Sequence, residues 1–179
     1  ETELSDKFAE SGKFFENKIE NFEEATVIPQ DINGDEDSGN VKVENILIDK
    51  NVIDDYCQKN NISQNNLFLS VFSLVLSKFV YNKNLLIATI TNGRFNPNQE
   101  KTIAMMVKTL PLALELNSEH TINEYYDYIN SQWLDVLANS SYPLTRISDD
   151  MDITPEILFA YHGKIIEDIH MDGMTLKRE

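Results

Sequence analysis

Three histidines, one cysteine and a pair of adjacent aspartates are the most reactive side chains in this sequence, and their spacing limits what each can do. His120, His162 and His170 are too dispersed along the chain for a sequence-local metal site. His170-Met171-Asp172-Gly173 has the order of an imidazole oriented by a carboxylate, but Asp-Gly in a late β segment is more simply a hairpin turn. Cys57 would need a base brought to it in space, and a lone cysteine on a short helix reads as a small buried apolar side chain. Asp149-Asp150 lie in a polar stretch with no apolar surroundings to raise a carboxyl pKa, so both are expected to be solvated. Gly93 has no glycine near it and no Gly-Lys-Ser/Thr after it, which rules out a phosphate-cradling loop. No catalytic set and no metal-ligating set emerges.

The stretch from Thr89 to Pro111 is different in kind. An apolar strand runs into Asn92-Gly93-Arg94, a polar loop passes through Asn96-Pro97-Asn98, and the chain returns as Ala104-Met105-Met106-Val107-Lys108-Thr109. Glycine at the turn permits backbone angles closed to other residues. Met105 and Met106 either line an adaptable apolar channel or fill a core. This region also differs in charge. The chain has 30 acidic and 15 basic side chains, and its net charge of −15 argues against nucleic acid or an anionic membrane surface as partner. Residues 56–116 nevertheless hold six bases and two acids. Lys78, Lys83, Arg94, Lys101 and Lys108 form this island, which either attracts an acidic macromolecule or phosphate or consists of solvated lysines at turns.

Those residues must be held by regular elements, and the composition supports them: 41% hydrophobic and 25% charged residues make a globular chain with a core. Leu4, Phe8, Phe15, Ile19 and Phe22 form one helical stripe. Pro29 to Asn40 is acidic and rich in turn formers, a mobile exposed loop. Val41 to Asp49 reads as a strand and Asn51 to Lys59 as a short helix. Ser63 caps a helix whose run Leu67 to Val80 is apolar nearly all round, which predicts burial on most sides, with Ser70, Ser73 and Ser77 as a narrow face for close backbone approach. Leu85 to Thr91 is a buried strand. Val107 to Leu116 is a half-buried one, at an edge or interrupted at Pro111. Thr121 and Glu124 make a capping box for a helix to about Ala138, with Ile122, Tyr125, Ile129, Trp133 and Val136 inward. A loop containing Tyr142-Pro143 leads to strands at Ile157 to His162 and Lys164 to His170, turned by Gly163 or Gly173. No repeat, signal peptide or membrane-length apolar run is present. A single cysteine makes a reducing cytoplasm the default.

Taken in order, these segments resemble the C-terminal lobe of the condensation domain of nonribosomal peptide synthetases. Asn66 to Tyr81 is similar to that lobe's buried helix, Ile87 to Arg94 to its strand ending in Gly-Arg, and Ile103 to Pro111 to its Ile-Gly-x-Phe-Val-Asn-Thr-Leu-Pro segment. Tyr142-Pro143-Leu144 resembles its Tyr-Pro-Phe-Glu, and Phe14 to Ile19 its opening helix. The resemblance implies an α/β fold, an α+β sandwich like chloramphenicol acetyltransferase, with a mixed sheet packed by helices. It implies that residues 1–179 are a single lobe, that the N-terminal catalytic lobe lies outside this chain, and that the chain stops before the lobe's usual final elements.

The function implied is amide-bond formation between carrier-bound aminoacyl or peptidyl thioesters, as in the cytoplasmic synthesis of peptide antibiotics. This lobe would supply one wall of the substrate cleft, through Asn92, Gly93, Arg94, Met106, Lys108, Thr109, Tyr142 and Pro143, with no catalytic residue and no metal. Lys83, Arg94 and Lys101 would meet the carrier. Phosphopantetheine would arrive on partner carrier domains, with no cofactor bound directly. The N-terminal lobe, the carriers and an adjacent adenylation domain are the partners implied. The chain departs from the family at Lys108 for Asn, Ala104 for Gly, Met106 for Phe, Asn139 for His and Leu144-Thr145 for Phe-Glu. The family's His-His-x-x-x-Asp-Gly does not occur in it. A lobe without that motif is expected to be inactive alone, which leaves two other readings open: a non-catalytic carrier-binding module, or a lobe of another acyltransferase of the superfamily, using coenzyme A.

Overall fold

The run Leu85-Leu86-Ile87-Ala88 has no polar face to offer water, and in the computed structural model, which describes residues 6–29, 42–94, 102–162, 169–171 and 174–176, it lies in the middle of a sheet. β1 (Asn84–Thr91) is the central strand of three, in the order β2-β1-β3. β2 (Lys108–Glu115) pairs antiparallel, with Leu85 opposite Leu114, Ile87 opposite Leu112 and Thr89 opposite Leu110. These six side chains share one face and all are buried. β3 (Leu158–Phe159) pairs parallel on the other edge of β1, so the sheet is mixed. Among the described residues β2 pairs with β1 alone, and Pro111 sits on this edge strand, where its missing N–H costs no ladder bond.

The outer edge of β1 is completed partly by a side chain. Leu86 N–H donates to Thr26 Oγ1 at 2.8 Å and Thr26 N–H donates to Leu86 O at 3.1 Å, while Ala88 N–H donates to Ile157 O at 2.7 Å. Thr26 therefore satisfies a buried amide that would otherwise need another strand.

The described residues include five helices. α1 (Asp6–Ile19) buries Phe15 and Ile19, with Phe8 half-buried; Leu4, the first member of its expected stripe, lies outside the described residues. α2 (Lys50–Asn60) starts at Asp49, whose carboxylate accepts from Asn51 N–H at 2.9 Å, and stops at Asn61 in the left-handed region (φ 53°). α3 (Gln64–Phe79) is capped by Ser63 Oγ, which accepts from Asn66 N–H at 3.1 Å. α4 (Ile122–Ala138) has the expected capping box, Thr121 with Glu124. The serine face of α3 does admit α4: the Tyr125 hydroxyl lies 2.9 Å from Ser73 Oγ and donates to Ser70 O at 3.0 Å. α5 (Leu144–Met151) buries Ile147. β4 (Ile169–Met171) and β5 (Met174–Leu176) form an antiparallel pair. No described helix is long and apolar enough to cross a membrane.

Several expectations are corrected. Residues 42–49 do not form a strand: Ile46 and Leu47 are 84% and 98% exposed, and no described strand lies beside them to take their backbone hydrogen bonds. α3 is not buried on most sides, because Val71, Leu74, Val75 and Phe79 face outward, opposite the packed side that carries Leu69, Ser73 and Leu76. Ile122, expected inward, is 60% exposed in the first turn of α4, and Tyr126 is buried instead, against Cys57 and Leu67. The loop expected to contain Tyr142-Pro143 and lead to the late strands includes α5, whose Leu144, Ile147 and Met151 already had helical spacing. Of the strand expected at Ile157 to His162, two residues are paired. Most of Pro29 to Asn40 and of Lys164 to His170, the Asn96-Pro97-Asn98 loop, and both Gly163 and Gly173 lie outside the described residues.

Candidate functional site

The β1–β2 ladder ends where Thr91 faces Lys108, and the residues the sequence singles out gather just beyond it. Gly93 has φ +66°, and a Cβ placed on it would lie 1.8 Å from the carbonyl oxygen of Met106. Only glycine fits there. Asn92 Oδ1 accepts from Arg94 N–H at 3.0 Å, which sets the turn. The Arg94 guanidinium then donates to Thr102 O at 2.9 Å and to Ala104 O at 2.9 Å, and reaches Met106 Sδ at 3.7 Å. Arg94 thus holds the returning chain to the end of β1.

Lys108 makes the second tie. Its Nζ donates to Ser140 O at 2.7 Å, linking the start of β2 to the connection between α4 and α5. Between them opens a cavity of about 550 Å³, lined by Lys108, Thr109 and Pro143, with Phe8, Val107, Leu110, Ser140, Ser141, Leu144 and Thr145. Ser141 Oγ is 3.0 Å from Ser11 Oγ, which joins this wall to α1.

Tyr142 turns the other way. Its ring packs 4.7 Å from that of Phe8 and against Gly12, where a Cβ would come within 3.0 Å of the ring, and its hydroxyl donates to the Asp150 carboxylate. That hydrogen bond, and then burial, raise the Tyr142 pKa. Asp150, expected to be simply solvated, therefore has a partner. Tyr142 lines a separate cavity of about 400 Å³ between α1 and α5.

Of the expected cleft residues, Lys108, Thr109 and Pro143 share one cavity, Asn92, Gly93, Arg94 and Met106 form the adjoining turn, and Tyr142 faces away. The sequence reading missed Phe8, Ser140, Ser141 and Thr145. Ser140-Ser141 could have been found as immediate neighbours of Tyr142-Pro143; Phe8 could not, since its place depends on how α1 packs. The expected carrier-contacting set is not one patch. Lys83 precedes β1 and donates to Ser118 Oγ at 3.0 Å, while Arg94 follows β1's far end, and eight strand residues separate them by about 25 Å. Lys101 lies outside the described residues.

The other reactive side chains stay apart. No group of three or more His, Cys, Asp or Glu is placed to hold a metal among the described residues. Burial, and then the nearby Asp54 charge, push the Cys57 thiol pKa up, which disfavours the thiolate a nucleophile needs. His120 Nδ1 is buried without a hydrogen-bond partner among the described residues, just ahead of α4, His162 is exposed, and His170 lies on β4.

With this geometry in place, comparison with known proteins gives its class. The family model described as "Condensation domain" matches residues 1–161, and the chain belongs to that family. Bacitracin synthase 2 of Bacillus licheniformis is 24% identical over 100 residues, covering 56% of this chain and 4% of that protein. The first condensation domain of the calcium-dependent antibiotic synthetase, in complex with a substrate analogue, superposes with a TM-score of 0.72 at 10% identity, over 97% of this chain and 39% of that one. A four-domain nonribosomal peptide synthetase bound to AMP and glycine gives 0.70 at 19% identity, over 82% of this chain and 11% of that one. The chain thus spans a small part of the synthetases it matches and about two fifths of a condensation domain.

Proposed function

We propose that this chain is one lobe of a nonribosomal peptide synthetase condensation domain, and that it forms one wall of the cleft where two carrier-bound building blocks are joined. The observation carrying this reading is that Gly93, Arg94, Met106, Lys108 and Thr109 converge at one end of the sheet beside an open cavity. In the reaction an acceptor amine attacks a donor thioester: the new C–N bond forms, the C–S bond breaks, and the thiol leaves as the amine gives up a proton. A wall of this kind contributes position, since holding the two arms in line removes most of the entropic barrier to their meeting. The sequence has no adjacent histidine pair, and no imidazole lines the cavity among the described residues. Proton transfer belongs to groups outside this wall, and the chain alone should form no amide.

The phosphopantetheine arms would arrive on carrier domains, with an adenylation domain as further neighbour. Among the described residues Arg94 and Lys108 are the cations at the cleft end of the sheet, so an acidic carrier would approach there rather than at Lys83. The test is a titration of the isotopically labelled chain with neutral S-butyryl-pantetheine, followed by amide chemical shifts. Perturbation of residues 92–94, 108–109 and 140–141 is expected. Perturbation confined to other surfaces, or none at all, refutes the reading.

A further inference from the structure

The cavity beside β2 carries a charge opposite in sign to the net charge of the chain. In a sequence with a net charge of −15, Lys108 is the only charged side chain among the described residues that line it. Among the described residues no carboxylate lies within ion-pair distance of that lysine. Its Nζ gives one hydrogen to Ser140 O at 2.7 Å, which fixes the head group and leaves two donors unused. Thr109, Ser140, Ser141 and Thr145 bring hydroxyl groups to the same lining, and no acidic residue joins them among the described residues.

We infer that Lys108 makes this cavity selective for an anionic group on the ligand. The inference rests on the cleft reading above and narrows its substrate class. Two oxyanions would satisfy it: a carboxylate carried by the building block, or the phosphate of the carrier's arm. Lysine suits either, because an ammonium is a compact point charge whose N–H groups can donate to oxygens approaching from several directions. The apolar side of the lining, Val107, Leu110 and Leu144, would take the methylene chain leading to that group.

The experiment compares three probes on the labelled chain by amide shift titration: S-butyryl-pantetheine, which is neutral; S-succinyl-pantetheine, which adds a carboxylate; and S-butyryl-4′-phosphopantetheine, which adds a phosphate. Lys108→Gln keeps a donor for Ser140 O but removes the charge, and Lys108→Arg keeps the charge. One anionic probe should bind about tenfold tighter than the neutral one, the size of a charge-assisted hydrogen bond in a half-open site. That preference should vanish in Lys108→Gln and survive in Lys108→Arg, with unchanged amide spectra elsewhere showing that both variants fold. Which anionic probe gains identifies the source of the oxyanion. Equal affinity for all three probes, or a preference that persists in Lys108→Gln, overturns this inference and leaves the cleft reading standing. If no probe perturbs the cavity, both fall.

Discussion

The carbonyl oxygen of Met106 occupies the space where a side chain on Gly93 would begin, 1.8 Å from the position of its Cβ. The turn after β1 and the chain returning to β2 are therefore in direct backbone contact. Gly93→Ala must both adopt a positive φ and push the two backbones apart, so it should lose about 2–4 kcal/mol of stability by urea unfolding. Unchanged stability would mean that the two segments separate without cost.

Arg94 holds the same return segment from its other side, through the carbonyls of Thr102 and Ala104. Arg94 is half-buried and its bonds to the two carbonyls are open to solvent, so the global effect of Arg94→Gln should be small, about 1 kcal/mol. The local effect should be larger. Amide hydrogen exchange across residues 102–107 should quicken while the β1 core stays protected; equal protection in both forms would show that Arg94 is not the brace.

Thr26 replaces a missing strand neighbour for Leu86 by accepting its N–H at 2.8 Å. Thr26→Val is nearly isosteric but leaves that buried amide without an acceptor, at a cost of about 1–3 kcal/mol. Thr26→Ser restores the oxygen and should recover most of the loss. Thermal unfolding of the three forms checks this, and a valine variant as stable as the threonine protein would contradict it.

The Tyr126 hydroxyl is hydrogen-bonded to that of Tyr56 at 2.9 Å, and burial, then that bond, push its pKa up to about 12. Below pH 10 the phenol keeps its proton folded or unfolded, and contributes no slope. Between pH 10 and 12 the unfolded chain releases the proton more readily than the folded one, so stability falls as pH rises. Tyr126→Phe removes this group, and its urea-unfolding stability should decline less steeply than that of the unchanged protein from pH 9.5 to 11.5. Parallel declines would assign the alkaline sensitivity elsewhere.

Position in the sequence was enough to place α3, α4, β1 and β2. Their signals are local: Ser63 and Thr121 hold oxygens within three residues of the amides they cap, and Leu110, Leu112 and Leu114 alternate because strand side chains alternate. Gly93 was legible for the same reason, since a turn after a buried strand states its own backbone requirement. α5 was legible too, in Leu144, Ile147 and Met151, but its polar Asp149-Asp150 end obscured it.

Other features have no local signal, because they depend on distant segments meeting. Lys108 takes its partner from Ser140, 32 positions away, and Leu86 takes its acceptor from Thr26, 60 positions away. An apolar helix such as α3 records that it wants burial but not which side will be covered; the serine side packs on α4 and the Val71–Val75 side does not. The segment at 42–49 alternates like a strand and stays irregular, since a strand exists only where another backbone is present to complete its hydrogen bonds. Chain-local chemistry thus set the elements and the turn at Gly93. Packing chose the faces, the partner of Lys108, and the cavity beside it, because those contacts form only once segments far apart in sequence are brought into one core.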